Sequence, residues 1–231
     1  MAYIISLLLL CAGYGVCLAF MKRMRQTKLF NLIFVAAVYI MYLWLCVVVF
    51  LDVGFYDWNF QNTLPCANVS PFMFFLMPLA LLLPPKFKKR FCLLISLLSV
   101  GMLLSAVLGC VSNAVIRYKF HPHFLLDYGA HFVLSAFGVY LVKSGQVELK
   151  FRECLISGGL IFGAAACMLL LNGIFGTNFF GLSLTGDHNI YNRVLVESGY
   201  LSALIYFCGL SLVLLLGAGY CSLFKRKTIA K

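Results

Sequence analysis

Acidic residues are scarce in this chain, with 7 Asp and Glu against 18 Lys and Arg in 231 residues. Charged residues of both signs make up only 11% of the sequence, and long polar stretches are absent. A soluble domain keeps about a quarter of its residues charged, so that class is excluded. There is no Gly-rich phosphate loop, no pair of histidines flanking a glutamate on a helix, and no CxxC set. Those absences remove the usual nucleotide-binding, zinc-hydrolase and zinc-ribbon frameworks, so neither a soluble cofactor nor a metal is expected. The ten cysteines lie in or beside apolar segments, where they act as small apolar side chains. Cys66 and Cys110 fall at similar depth, which leaves room for one disulfide. No internal repeat is visible, which argues against an inverted-repeat transporter.

What the chain does have is hydrophobic length. Apolar residues make up 63% of it, and mean hydropathy is +1.00. Seven apolar runs are drawn at roughly 2–20, 29–51, 64–84, 91–115, 125–144, 154–175 and 196–223. A span needs about 20 residues, so seven of them nearly exhaust the chain and leave a single domain, residues 1–231. Lipid offers no partner for a free backbone amide, and no alternating barrel pattern is present. The expected fold is therefore an all-α, polytopic membrane protein: a bundle of seven transmembrane helices.

Basic residues gather in every second loop. Lys22, Arg23, Arg25 and Lys28 follow the first run, and Lys86, Lys88, Lys89 and Arg90 follow the third. Lys143, Lys150 and Arg152 follow the fifth; Lys225, Arg226, Lys227 and Lys231 follow the seventh. The remaining loops hold Arg117, Lys119 and Arg193 among Asp52, Asp57, Asp187 and Glu197. Positive charge in short loops is retained in the cytoplasm, so the N-terminus is expected outside and the C-terminus inside, in the plasma membrane. The first run has no basic residues before it, which favours a retained helix over a cleaved signal. A formal charge of +11 split among four loops suits anionic lipid headgroups, not nucleic acid. No protein partner is inferable.

With this orientation the polar residues sort by depth. Cys66 and Asn68 open the third run, Asn113 closes the fourth, Asp127 and His131 lie early in the fifth, and Asn172 ends the sixth. Trp58, Tyr56 and Phe55 suit the outer interface. The loop from Gly176 to Val194, with Asn178, Asp187 and His188, is expected to cap the outer end. The inner halves read as apolar apart from Ser, Gly and Cys. An ionisable side chain as deep as His131 usually faces the bundle interior or a water-filled cavity. Asp127, four residues earlier, shares its helix face and could set the imidazole tautomer. The same pair would serve equally well as a polar tie between helices. Cys66 follows Pro65 at a helix start, where the dipole favours a thiolate and an imidazole within reach would complete a nucleophile–base pair. Core packing is the plainer role of any one cysteine.

Four stretches occur in order: Leu64 to Pro71, Pro122-His123-Phe124, Ala130-His131, and Gly176-Thr177-Asn178-Phe179-Phe180. Over roughly residues 60–215 the chain resembles the YwaF-like bacterial integral membrane proteins, a family related to the eukaryotic transmembrane-protein-164 acyltransferases. The eukaryotic branch holds its proposed nucleophile in a Pro-Cys-His string, whose start Pro65-Cys66 matches. Ala67 stands where that string has histidine, and Val69 where many bacterial members carry a cysteine. The resemblance implies acyl transfer by Cys66, His131 and Asp127 to a lysophospholipid or similar lipid alcohol at the outer leaflet. Asn68, Asn113, His123, Asn172 and Asn178 would bind substrate, with Asn68 or Asn172 donating to the developing oxyanion. The alternative is a non-catalytic protein that binds or moves a lipid-like ligand through the same outer cavity. A retinal protein is excluded because Val196 to Phe224 contains no lysine. No receptor motif is visible, and no acidic ring or backbone filter suggests a channel.

Overall fold

The computed structural model describes residues 2–21, 28–50, 69–116, 124–175 and 201–224. These form seven α-helices and, among the described residues, no strand. They are α1 (Ala2–Met21), α2 (Lys28–Phe50), α3 (Val69–Leu82), α4 (Pro85–Ile116), α5 (Phe124–Lys143), α6 (Phe151–Phe175) and α7 (Leu201–Ser222). Six are long and apolar enough to cross a membrane. The third, α3, is a shorter apolar helix of 14 residues, and the expected start of its span at 64–68 lies outside the described residues. The fold is an all-α polytopic membrane bundle.

The helices begin and end where elementary chemistry puts them. Pro85 opens α4 at the first helical position, where a missing amide proton costs nothing, and the Pro84 carbonyl takes the Lys88 amide at 2.9 Å. The basic residues 86–90 thus belong to α4, not to a turn before it, and α4 starts six residues earlier than its apolar run. α5 stops at Gly145, whose φ of 78° is left-handed and suits glycine. The Gln146 amide returns to the Leu141 carbonyl at 3.0 Å and the Gly145 amide to the Val142 carbonyl at 3.1 Å, a Schellman closure. Val147, just beyond it, is buried in the core and pins the loop. Lys150 and Glu148 meet at 2.6 Å on the surface, where an exposed pair adds little stability.

Burial is very unequal. In α5, 83% of the span is inside the bundle, against 11% for α1 and 22% for α6 and for α7. α5 packs on α4 above all, then on α2 and α1; α4 also carries α7, α6, α3 and α1. The centre of the molecule is therefore the α4–α5 pair. Glycine makes the closest approach there: a Cβ on Gly138 would stand 2.9 Å from the Ile95 carbonyl oxygen and 3.1 Å from Ser96 Cα. Ser96 Oγ, 2.9 Å from the Gly138 carbonyl and 3.1 Å from that of Cys92, shares its proton between the helices. α7 meets α4 as closely, because a Cβ on Gly217 would overlap the Leu97 carbonyl. Small residues at such crossings let backbones touch, which lipid-immersed helices need because lipid gives them no hydrophobic drive to associate. Large apolar side chains such as Leu9, Leu170, Ile174 and Leu215 cover the outside.

α2 and α4 run opposite to α5. The start of α2 meets the end of α5, where Asn31 and Gln146 exchange two amide hydrogen bonds of 2.7 and 2.9 Å. Lys28, Lys86, Lys88, Lys89, Arg90, Lys143, Lys150 and Arg152 accompany that end of the bundle, called the basic end below. The opposite end holds the start of α5, against Leu45 of α2 and Ala106 and Cys110 of α4.

Gly217→Ala and Gly138→Leu should lower thermal stability in detergent, by about 1–3 kcal/mol or more as for overpacked cores. Gly163→Ala, where a Cβ meets nothing within 4 Å, should leave it unchanged or raise it. Equal melting behaviour of Gly217→Ala and Gly163→Ala would contradict the close α4–α7 crossing.

Candidate functional site

The least apolar of the six membrane-crossing spans is also the most enclosed. Along α5, Asp127 and His131 fall one turn apart on one face, and both are 7% exposed. Inside a bilayer such groups are costly unless paired. They pair with each other: His131 Nδ1 stands 3.4 Å from the Asp127 carboxylate and 2.7 Å from the Asp127 backbone carbonyl. A carbonyl oxygen can only accept, so Nδ1 carries the proton and Nε2 is the basic nitrogen. The sequence pointed to the carboxylate as the group that sets the tautomer; the nearer partner is the main chain.

Aromatic rings enclose the pair. Phe74 of α3 meets the His131 ring edge to face, with centroids 5.1 Å apart at 84°, and Tyr42 of α2 backs Phe74 at 5.6 Å. Such contacts contribute about 0.5–1.5 kcal/mol each beyond area and fix ring orientation. Pro78, inside α3, has no amide to give to the Phe74 carbonyl, so one rung of the helix's hydrogen-bond ladder is missing at the turn that touches His131. On the neighbouring face of α5, Tyr128 and Phe132 pack with Leu45, Ala106 and Cys110. The Tyr128 ring fills the space a Cβ on Gly109 would need, at 2.8 Å. Cys110 is buried there as a free thiol.

The other expected site residues are placed less fully. Asn172 is buried in the last turn of α6, a helix that packs chiefly on α4. Asn113 lies in the last turn of α4. Cys66, Asn68, His123 and Asn178, with the loop from Gly176 to Val194, lie outside the described residues. Among the described residues no group of three or more His, Cys, Asp or Glu could hold a metal.

Below the pair, tyrosine hydroxyls join the serines and cysteines expected from the sequence. Ser135, four residues after His131, bonds Tyr14 of α1 at 2.8 Å, and Tyr14 bonds Tyr220 of α7 at 2.8 Å. Cys221 of α7 stands 3.3 Å from Ser99 and gives its thiol proton to the Ser96 carbonyl at 3.2 Å. The signal for this network was the one-turn spacing of Asp127, His131 and Ser135; its partners on α1 and α7 could not be phased without the packing. Phe74 carried no sequence signal at all.

No family model, no curated protein and no solved structure matches this chain. The arrangement itself supplies an enclosed imidazole whose proton is fixed on Nδ1, beside a carboxylate, near one end of an apolar bundle. It can accept a proton, or it can hold helices together.

The backbone carbonyl predicts the outcome of removing the carboxylate. In Asp127→Ala, His131 should keep its proton on Nδ1, as read from the 15N shifts of histidine-labelled protein. A switch to the Nε2–H form would assign tautomer control to the carboxylate instead.

Proposed function

We propose that this membrane protein is a lipid acyltransferase whose chemistry lies at the outer leaflet, with Cys66 as nucleophile and His131 as base. The observation that carries the reading is the enclosed Asp127–His131 pair, with Nε2 as its basic nitrogen. The resemblance of Leu64 to Pro71, Ala130-His131 and Gly176 to Phe180 to the YwaF-like and transmembrane-protein-164 proteins supplies the nucleophile and the substrate class.

In the proposed reaction the Cys66 thiol gives its proton to His131 and attacks an ester carbonyl of a donor phospholipid. A tetrahedral oxyanion forms, held by an amide donor such as Asn68 or Asn172. Its collapse breaks the ester bond, and the lysophospholipid leaves as an alcohol with the proton from His131. The acyl group is now a thioester. A lipid alcohol then attacks, His131 takes its proton, and the thiol is restored. The second product is a new ester, and no oxidant or reductant enters. Asp127 stabilises the imidazolium in both half-reactions. Ester carbonyls lie near the depth of the early turns of α5, which suits a site there. Asn113, His123 and Asn178 are the proposed contacts to the rest of the substrate.

The orientation follows the charge pattern. The basic end is proposed to face the cytoplasm of a plasma membrane, because positive charge in short loops is retained on that side. Exposed Lys86, Lys89, Lys150 and Arg152 would contact anionic headgroups there, each contributing about 1 kcal/mol.

Purified protein supplied with lysophospholipid and acyl-phospholipid, and followed by lipid mass spectrometry, tests the reaction. Cys66→Ser should lower turnover on the order of 10³-fold, as nucleophile deletions do elsewhere. Full turnover in Cys66→Ser with loss in His131→Ala would remove the thioester from the scheme. No transfer by the wild-type protein, with retained lipid binding, would leave the non-catalytic carrier as the better reading. For orientation, a single cysteine at residue 88 in a cysteine-free variant should resist impermeant maleimide in intact cells. Labelling from outside would invert the topology.

A further inference from the structure

The acyl-transfer scheme uses Asp127 and His131 and leaves unused the hydroxyls that continue from them. We propose that Asp127, His131, Ser135, Tyr14 and Tyr220 form a proton relay between the basic end of the bundle and the site. The inference is independent of acyl transfer and needs no thiol.

The geometry is a chain of exchangeable protons through otherwise apolar packing. Asp127, His131 and Ser135 follow one another at single-turn spacing on the most enclosed helix. Ser135 is fully buried, and its hydroxyl meets Tyr14 at 2.8 Å. Tyr14 meets Tyr220 at 2.8 Å, and Tyr220 stands in the last turn of α7, partly exposed, with its ring against Phe224. In both hydroxyl pairs either oxygen can be the donor, so the chain can point in either direction and can reset after a proton has passed.

Transfer involves only proton hops. Tyr220 takes a proton at the basic end while its own passes to Tyr14, and the Tyr14 proton passes to Ser135. The Ser135 proton passes on to Nε2 of His131, which releases the one on Nδ1 to the Asp127 carboxylate. Each hydroxyl oxygen gains one O–H bond and loses one, nothing is oxidised, and Asp127 releases the final proton at the site; a turn of the imidazole restores the Nδ1–H form. The hop from His131 to Ser135 spans one helical turn, about 6 Å of rise. No hydrogen bond joins those two side chains among the described residues, so the proposal includes one bridging water at that hop. Three thiols flank the route and are not members of it: Cys110 near Asp127, Cys11 near Cys110, and Cys221 near Tyr14 and Tyr220. In membranes, chains of buried Asp, Glu and His form proton relays in pumps and transporters.

The test is proton flux into liposomes holding the full chain and the trapped dye pyranine, driven by a potassium gradient with valinomycin. Wild-type protein should admit protons above the rate of protein-free liposomes, in proportion to protein content. Tyr14→Phe keeps the ring contact with Phe132 but removes the central hydroxyl, and should fall to the protein-free rate. Ser135→Ala and Tyr220→Phe should do the same, whereas Gly163→Ala, where an added Cβ meets nothing within 4 Å, should keep full flux. Wild-type flux equal to that of protein-free liposomes would overturn the relay, and so would undiminished flux in Tyr14→Phe; the hydroxyls would then be a helix clamp only. If Tyr14→Phe does not yield folded protein by size exclusion, Tyr220→Phe carries the same expectation, since it leaves the Tyr14–Ser135 bond in place.

Discussion

The structure depends on how closely α4 and α5 can approach. At Gly138 the two backbones touch, with room for a hydrogen but not for a methyl group. That contact lets Ser96 reach across to the Gly138 carbonyl and draws α5 into the middle of the bundle. Once α5 is enclosed, each of its polar side chains must find a partner inside the protein, because neither water nor headgroups can reach it cheaply. Asp127 and His131 satisfy one another along the helix, and Ser135 reaches Tyr14. The candidate site and the hydroxyl chain below it are thus consequences of one helix–helix crossing.

Much of the architecture was legible in the sequence because membrane physics acts on length and composition. Apolar runs predicted every helix, and α5 at 124–143 differs by one residue at each end from the run at 125–144. The misplacements have a common cause. Hydropathy marks where lipid begins, not where hydrogen bonding does, so α4 and α6 start in basic sequence at Pro85 and Phe151 ahead of their apolar runs. Long Lys and Arg side chains at such ends extend to the interface, which lets the helix continue beneath them. Helical phase was not legible, since spans apolar on every side show no preferred face. Hence the pairing of Asp127 with His131 could be read from spacing within one helix, whereas Phe74 against His131 and Tyr14 against Ser135 could not. The inner half was expected to carry little beyond Ser, Gly and Cys, and Ser96, Ser99 and Cys221 hydrogen-bond across helices there. The hydroxyls of Tyr14 and Tyr220, which look innocuous in a hydropathy profile, join them.

The surroundings of His131 bear on what the pair can do. A general base in water takes up a proton at little cost; one packed against Phe74 needs a negative charge beside it when it does so. Asp127 provides that charge, and pairing with the imidazole spares the bundle an isolated carboxylate. A base in acyl transfer and a relay member both rely on such a partner, since each must accept and release a proton without a net charge persisting in the bundle. A purely structural pair would have no such requirement, and an amide at position 127 would serve it equally well.

The peripheral helices show why the hydroxyl contacts matter beyond chemistry. α1 is buried over little of its length, and in α6 the glycines Gly159, Gly163 and Gly173 face open space. Each glycine inside a helix costs about 1 kcal/mol relative to alanine, and here no close packing offsets it. Apolar contact does little to fix such helices in register, because a leucine packs nearly as well against lipid as against protein. Directional bonds do fix register: Tyr14 ties α1 simultaneously to α5 and α7, and Asn31 ties α2 to the turn at Gln146. The tie at Tyr14 lies one turn below His131, so the same hydroxyl that holds α1 and α7 in place also sets what stands beneath the candidate site. Any change of the α1–α7 register must break it, which couples the outermost helices to the most enclosed one.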